Sequence, residues 1–325
     1  MQCLNDGWSC NSRSDGFDDF ATFAGACTMG GMPSHPNTRI AALFLCSLAA
    51  SAAHSSNDSN PSPPQPLVQA QLVSETSTLQ RGKSGWTAVH LKMRPGWHTY
   101  WRNPGDSGLA TTIKWTLPSG VSAGPIIWPR PDKFMARTIA GYGYAGDVAL
   151  LSTISVPAQL ASKNITIGAV VSWLACEQVC IPGSQQLHIT LPVSDAVPIT
   201  DRAAKTLFAE TRQRIPQRAP FAATFDLGEQ QLRLRVPRST LSGMTTPELM
   251  FYPFDNTIID HGAAQALVSG PKHVDLILRR SVIASNEMET LAGVLVVRGA
   301  GSSRTQAYDV SAARARPNGA PREAH

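Results

Sequence analysis

Cys176 and Cys180 stand with three residues between them in Trp173-Leu174-Ala175-Cys176-Glu177-Gln178-Val179-Cys180-Ile181-Pro182-Gly183, and no other cysteine lies beyond Cys46. Paired thiols close a disulfide, pass electrons through it, or hold a soft metal. A disulfide wants its Cα atoms roughly 4.4–6.8 Å apart, whereas an extended strand separates residues i and i+4 by about 13 Å. The chain must therefore turn between the two. A strand entering at Ile165–Leu174 and a strand leaving at Gln185–Leu191 make that turn a hairpin tip, with the cysteines opposite each other.

As a staple the bridge is weak by position. A loop this short contributes about 2 kcal/mol through chain entropy, and it ties a hairpin already closed by its own ladder. A bridge that serves stability usually joins distant strands, so the spacing favours a redox role. Glu177 beside Cys176 opposes a thiolate, which predicts ordinary or raised thiol pKa values rather than an activated cysteine at a helix N-terminus. Such a pair passes electrons when a specific partner docks. Zinc wants four ligands, and only His188 is near in sequence. Cu(I) held by two thiolates and a methionine is a further chemistry that nothing in the pattern specifies. With no Cys-x-x-Cys-His, no Gly-rich phosphate loop and no Gly-x-Ser-x-Gly, the sequence gives no motif for haem, nucleotide or serine-hydrolase chemistry. The expectation is no cofactor and no metal.

Two aromatic stretches accompany the pair. Trp97-His98-Thr99-Tyr100-Trp101-Arg102-Asn103-Pro104-Gly105-Asp106-Ser107-Gly108 is dense in Trp, Gly and Pro and reads as core packing plus a turn. Ile139 to Gly146 sets Tyr142 and Tyr144 among glycines and reads as a flexible loop, either plain surface or a lid over a site. His90 and His98 read as core or surface histidines, because no nucleophile neighbours them.

The elements that must position these residues are strands. Val68–Glu75, Gly85–Met93, Thr111–Thr116, Leu150–Val156, Ile165–Leu174 and Gln185–Leu191 are short apolar-alternating segments bounded by Gly, Pro, Asn or Ser. Many short strands with turns between them predict an immunoglobulin-like antiparallel β-sandwich. Thr200 to Arg214 breaks the pattern as one connecting helix, with Thr200 as N-cap, Asp201 in the first turn and Pro216 beyond its end. Gln231–Val236, Glu248–Tyr252, Ala266–Ser269, His273–Leu278, Leu291–Arg298 and Thr305–Val310 then predict a second β-sandwich domain. Six of the seven tryptophans lie between Trp86 and Trp173, so the aromatic content sits in the first domain with the cysteines. The fold class is thus all-β: two sandwiches joined by one helix, at 67–198 and 219–311, with the helical linker at 199–218.

The ends of the chain differ from this middle. Ile40 to Ala53 is an apolar run after Arg39, ending in small residues with a cleavage-like Ala50-Ser51-Ala52, and predicts a secretory signal near residues 32–53. It is shorter than the roughly 20 apolar residues of a membrane span, so a retained anchor is the lesser alternative. Residues 1–31 precede that signal, which points to Met32 as the true start and removes Cys3, Cys10, Cys27 and Cys46 from the mature protein. Residues 54–66 read as a disordered lead-in and 312–325 as a disordered tail. Among 325 residues a net charge of +5 is modest, and no basic cluster implies nucleic acid. Two cysteines in an oxidising compartment tend to pair.

Taken together, Trp97 to Gly108, Gly141-Tyr142-Gly143-Tyr144, and Val171 to Gly183 with its Cys-x3-Cys-Ile-Pro-Gly resemble the N-terminal periplasmic domain of the DsbD/ScsB family of thiol:disulfide interchange proteins. Phe251-Tyr252-Pro253 and Leu291 to Val296 resemble the second β domain of the ScsB-like branch. The resemblance implies a periplasmic immunoglobulin-like domain, of protein-disulfide reductase type. Its pair takes electrons from a thioredoxin-like domain or membrane reductase and hands them to a disulfide isomerase or a cytochrome c maturation protein. It also implies that Cys180 forms the mixed disulfide with partners while Cys176 resolves it. A loop aromatic, Tyr142 or Tyr144, is implied to cap the pair, with Trp173, Glu177 and Pro182 flanking it. The cysteines stand closer together here than in the best-known members, and the transmembrane and thioredoxin-like parts expected downstream are not in the sequence. The alternative is an envelope interaction or metal-handling module with a structural disulfide.

Overall fold

The computed structural model describes residues 66–242, 247–299 and 305–315, so the expected signal, nearly all of the lead-in and residues 316–325 of the tail lie outside the described residues. Eleven strands precede the helix: β1 (Val68–Ser74), β2 (Leu79–Gln80), β3 (Ser84–Met93), β4 (His98–Gly105), β5 (Thr112–Thr116), β6 (Ser122–Ala123), β7 (Asp132–Ala136), β8 (Ile139–Ala145), β9 (Asp147–Ser155), β10 (Asn164–Cys176) and β11 (Cys180–Ser194). They form two sheets, one in the order β1-β3-β9-β6 and one in the order β2-β11-β10-β4-β8-β7, with β5 also on β10.

Period-two burial makes these two sheets a sandwich. Ile165, Ile167, Ala169, Val171, Trp173 and Ala175 of β10 point inward and meet Val89 and Leu91 of β3 and Leu150 and Ile154 of β9. The immunoglobulin-like architecture expected from the alternation is what the strands build.

The helix α1 spans Ala204–Arg214. It begins four residues later than expected: Thr200 forms a β-bridge with Thr76, and the Asp201 carboxylate accepts from the N–H groups of Ala203 and Ala204 just ahead of the first turn. Nor is it only a tether: Phe208 is fully buried against Ala88, Ala149 and Leu151 on the outer face of the first sheet.

Eight strands follow: β12 (Gln217–Arg218), β13 (Thr224–Leu227), β14 (Gln231–Pro237), β15 (Glu248–Pro253), β16 (Ala266–Ser269), β17 (His273–Arg279), β18 (Thr290–Arg298) and β19 (Thr305–Arg314). They make one sheet, in the order β15-β18-β19-β13-β14-β17-β16 with β12 on β19, around a core that includes Phe225, Leu234, Phe251, Leu276, Leu295 and Val310. Strand β19 runs to Arg314, past the expected start of the tail at 312, because Ala312 continues the buried alternation after Val310.

Two segments differ from expectation in a way that matters for the site. Trp97 to Gly108 holds strand β4, and Ile139–Ala145 is strand β8, not a flexible loop. The glycines that read as turn signals are there for close approach: a side chain at Gly143 would run into the Thr99 carbonyl of the neighbouring strand.

Candidate functional site

Cys176 ends β10 and Cys180 begins β11, and they are register partners joined by a disulfide with Cα atoms 4.1 Å apart. Glu177, Gln178 and Val179 make the tip, closed by the Glu177 N–H donating to the Val179 carbonyl at 3.2 Å. This is the hairpin the spacing predicts.

The two sulfurs have unequal surroundings. Cys176 is 3% exposed, whereas Cys180 is open to solvent. Strand β4 lies on the far side of β10, with His98 opposite Cys176 in the register. From two residues along that strand, the Tyr100 hydroxyl donates to Cys176 Sγ at 3.1 Å and lies 3.8 Å from Cys180 Sγ. Burial pushes the Tyr100 pKa up, so it stays a neutral O–H donor at ordinary pH. His98 packs edge-on against Tyr100, with ring centroids 5.3 Å apart, and Phe134 of β7 stacks on His98 at 4.6 Å. Burial lowers the His98 pKa, which keeps the imidazole uncharged in this aromatic layer.

Glycine makes the layer possible. Gly141 and Gly143 of β8 present no side chain on this face, and Gly108 lies directly against the Tyr100 ring, where a methyl group would clash. The Trp173 indole rests over Gly183, its cross-strand partner, and so supports the hairpin stem next to the disulfide. Pro182 pairs with Leu174 on the same stem, and the Glu177 carboxylate lies against Gly96 of the preceding loop. His188 sits eight residues beyond Cys180 on a continuous strand, about 26 Å away, so it is no co-ligand for the pair.

The implied cap residues are elsewhere. Tyr142 and Tyr144 alternate inward from β8, 0% and 1% exposed. The Tyr142 hydroxyl is 3.0 Å from His261 Nδ1, and Tyr144 donates to the Pro129 carbonyl at 2.7 Å. Tyr142 and its neighbours form a seam with the second half of the chain. Trp101 and Tyr142 both pack edge-on against Tyr252, and Asn103 Nδ2 donates to the Pro253 carbonyl at 2.7 Å in a buried position. The aromatic that covers the disulfide is Tyr100, from a strand. Reading His98 to Gly105 as a strand was the available signal, since it puts His98 and Tyr100 on one face.

Residues 65–192 match the family model described as Thiol:disulfide interchange protein DsbD, N-terminal. Among solved structures, the crystal structure of the N-terminal periplasmic domain of ScsB from Proteus mirabilis is 19% identical, with a TM-score of 0.56 over 78% of this chain and 96% of that one. It shares the fold. An I-band fragment of titin is 11% identical over 77% of this chain and 66% of its own, at a TM-score of only 0.19. No curated protein matches the chain.

Proposed function

We propose that this chain carries electrons between envelope proteins by thiol–disulfide exchange through Cys176 and Cys180, with Cys180 as the sulfur that partners join. The carrying observation is the asymmetry of the pair: one sulfur is open, and the other is buried under a hydroxyl that donates to it. The family of residues 65–192 and the periplasmic origin named for the ScsB domain support the same reading.

In the reducing direction, a partner thiolate attacks Cys180 Sγ and the Cys176–Cys180 bond breaks, leaving a mixed disulfide. Cys176 departs as a thiolate, favoured by the hydrogen bond from Tyr100, and takes a proton from solvent. The partner's second thiolate then attacks the partner's own sulfur in the mixed disulfide and releases Cys180 as a thiolate, which is protonated in turn. Two electrons have moved, the partner is a disulfide, and this pair is a dithiol. Running the steps backward onto another disulfide discharges it. A thioredoxin-like domain or membrane reductase fits the donor side, and a disulfide isomerase or cytochrome c maturation protein the acceptor side. Export through the apolar segment near residues 32–53 delivers the chain to the periplasm; among the described residues no helix is long and apolar enough to cross a membrane.

Trapping tests the reading. Cys176→Ser should accumulate mixed disulfides with thioredoxin-type proteins, and Cys180→Ser should form at least about tenfold fewer. Equal trapping by both variants, or more by Cys180→Ser, overturns the assignment.

A further inference from the structure

We infer that a partner protein meets this chain as an added strand on the free edge of β11, alongside Cys180–Gln186. The inference rests on Cys180 being the sulfur that partners join.

The first argument is the direction of attack. Displacement at divalent sulfur brings the nucleophile in line with the bond that breaks, on the side away from the leaving sulfur. Cys176 is on β10 and Cys180 on the neighbouring strand β11, so the S–S bond runs across the sheet from one strand to the next. Extended beyond Cys180, that line passes over the outer edge of β11. Tyr100 and His98 lie on the opposite side, toward β4, and need not move.

The second argument is the edge itself. Strand β11 pairs with β10 along Cys180–Pro192; among the described residues its other edge pairs only with β2, at Val193 and Ser194, and β1 reaches it through one side-chain bond, the Ala70 N–H donating to Gln185 Oε1 at 3.2 Å. Among the described residues no strand pairs with that edge between Cys180 and Pro192. A proline is tolerated inside a strand where its missing N–H faces away from the ladder, so residue 182 turns its backbone outward. The short Cα separation of the cysteines agrees, because non-hydrogen-bonded pairs of an antiparallel ladder are the closer ones. With the register unbroken, the backbones of Cys180, Ser184 and Gln186 also face out.

The third argument is chemical. Edge strands are ordinarily protected by charge, yet Cys180 to Leu187 carries no charged side chain. Val179 is 62% and Ile181 43% exposed, flanking Cys180 with apolar surface. The segment that fits is extended, uncharged and apolar and lies beside the partner's attacking cysteine; backbone pairing supplies the affinity and the side chains beside Cys180 the register.

The test uses the full chain with Cys176→Ser, linked through Cys180 to a thioredoxin-type protein reduced to its attacking cysteine. Amide hydrogen exchange at Ser184 and Gln186 should slow at least tenfold relative to the unlinked chain. A linked complex in which both amides exchange as before overturns the docking mode while leaving the exchange reaction standing. Failure to form any mixed disulfide instead removes the proposed function, and this inference with it. As a second measurement, Gln186→Pro removes an outward donor and keeps the ladder to β10. It should slow reduction by the protein partner about tenfold more than reduction by dithiothreitol, and equal effects on the two reductants count against the added strand.

Discussion

Neighbouring residues on β4 face opposite ways. Tyr100 meets the disulfide and His98 packs on Tyr100, while Trp101 and Asn103 meet the second half of the chain. Strand β8 repeats the division, with Gly141 and Gly143 thinning the site face and Tyr142 and Tyr144 filling the other. A motif that reads along the chain as one aromatic cluster is two surfaces back to back. Aromatic content near a reactive pair is therefore no guide to which ring attends it. Strand parity is.

Substitutions on the two faces should separate stability from redox behaviour. The largest effect belongs to the seam: Tyr142→Ala removes a fully buried ring and should lower the unfolding free energy by about 3–5 kcal/mol, read by denaturant titration. The exchange rate of the folded variant should stay within about twofold, and a larger change would mean the faces are coupled. Asn103→Ala strands the Pro253 carbonyl in a buried place and should cost about 1–3 kcal/mol, again without altering exchange. On the other face, Tyr100→Phe keeps the ring but loses the donor to Cys176. Its partner-exchange rate should fall about fivefold to tenfold, for a loss of about 1–1.4 kcal/mol on the leaving thiolate, with little change in the denaturation midpoint. If the midpoint moves and the rate does not, the hydroxyl is structural.

The smallest effect is a pH dependence. With its pKa lowered by burial, His98 binds its proton more weakly in the folded than in the unfolded chain, so stability rises with pH through that window. Its contribution is complete above the ordinary histidine pKa of about 6.5 and declines as pH falls below it toward the folded value. The shift is modest because the ring is half-buried. His98→Phe should therefore lose less melting temperature than the parent between pH 7.5 and pH 5, and an identical loss would place His98 outside the layer's energetics.

Much of this was legible before any coordinates. Val68–Ser74 and Asn164–Cys176 alternate so regularly that their inward faces follow from period two, and the distance limit on a disulfide forces the hairpin tip. Strands β4 and β8 were hidden by their own requirements. Pro104, Gly105, Gly141 and Gly143 read as turns, yet a glycine in a strand also marks a backbone or ring packed too close for a Cβ, and one sequence does not distinguish the two uses. A loop over 139–146 leaves Tyr142 and Tyr144 free to face the pair, whereas strand β8 turns both inward and strand β4 sets Tyr100 against the disulfide. The later start of α1 is a smaller case, since Thr200 is held in a β-bridge with Thr76 and the helix can begin only beyond it.

Pro182 has one more consequence. A carrier must be left as readily as it is found, and each added rung of backbone pairing lengthens residence, since affinity is tuned mainly through the off-rate. In the proposed docking, Pro182 withholds a donor two residues from Cys180, so a visiting strand would not grip along a continuous row. Under the proposed exchange, contacts at Cys180 would thereby be brief, as release of one partner before the next requires.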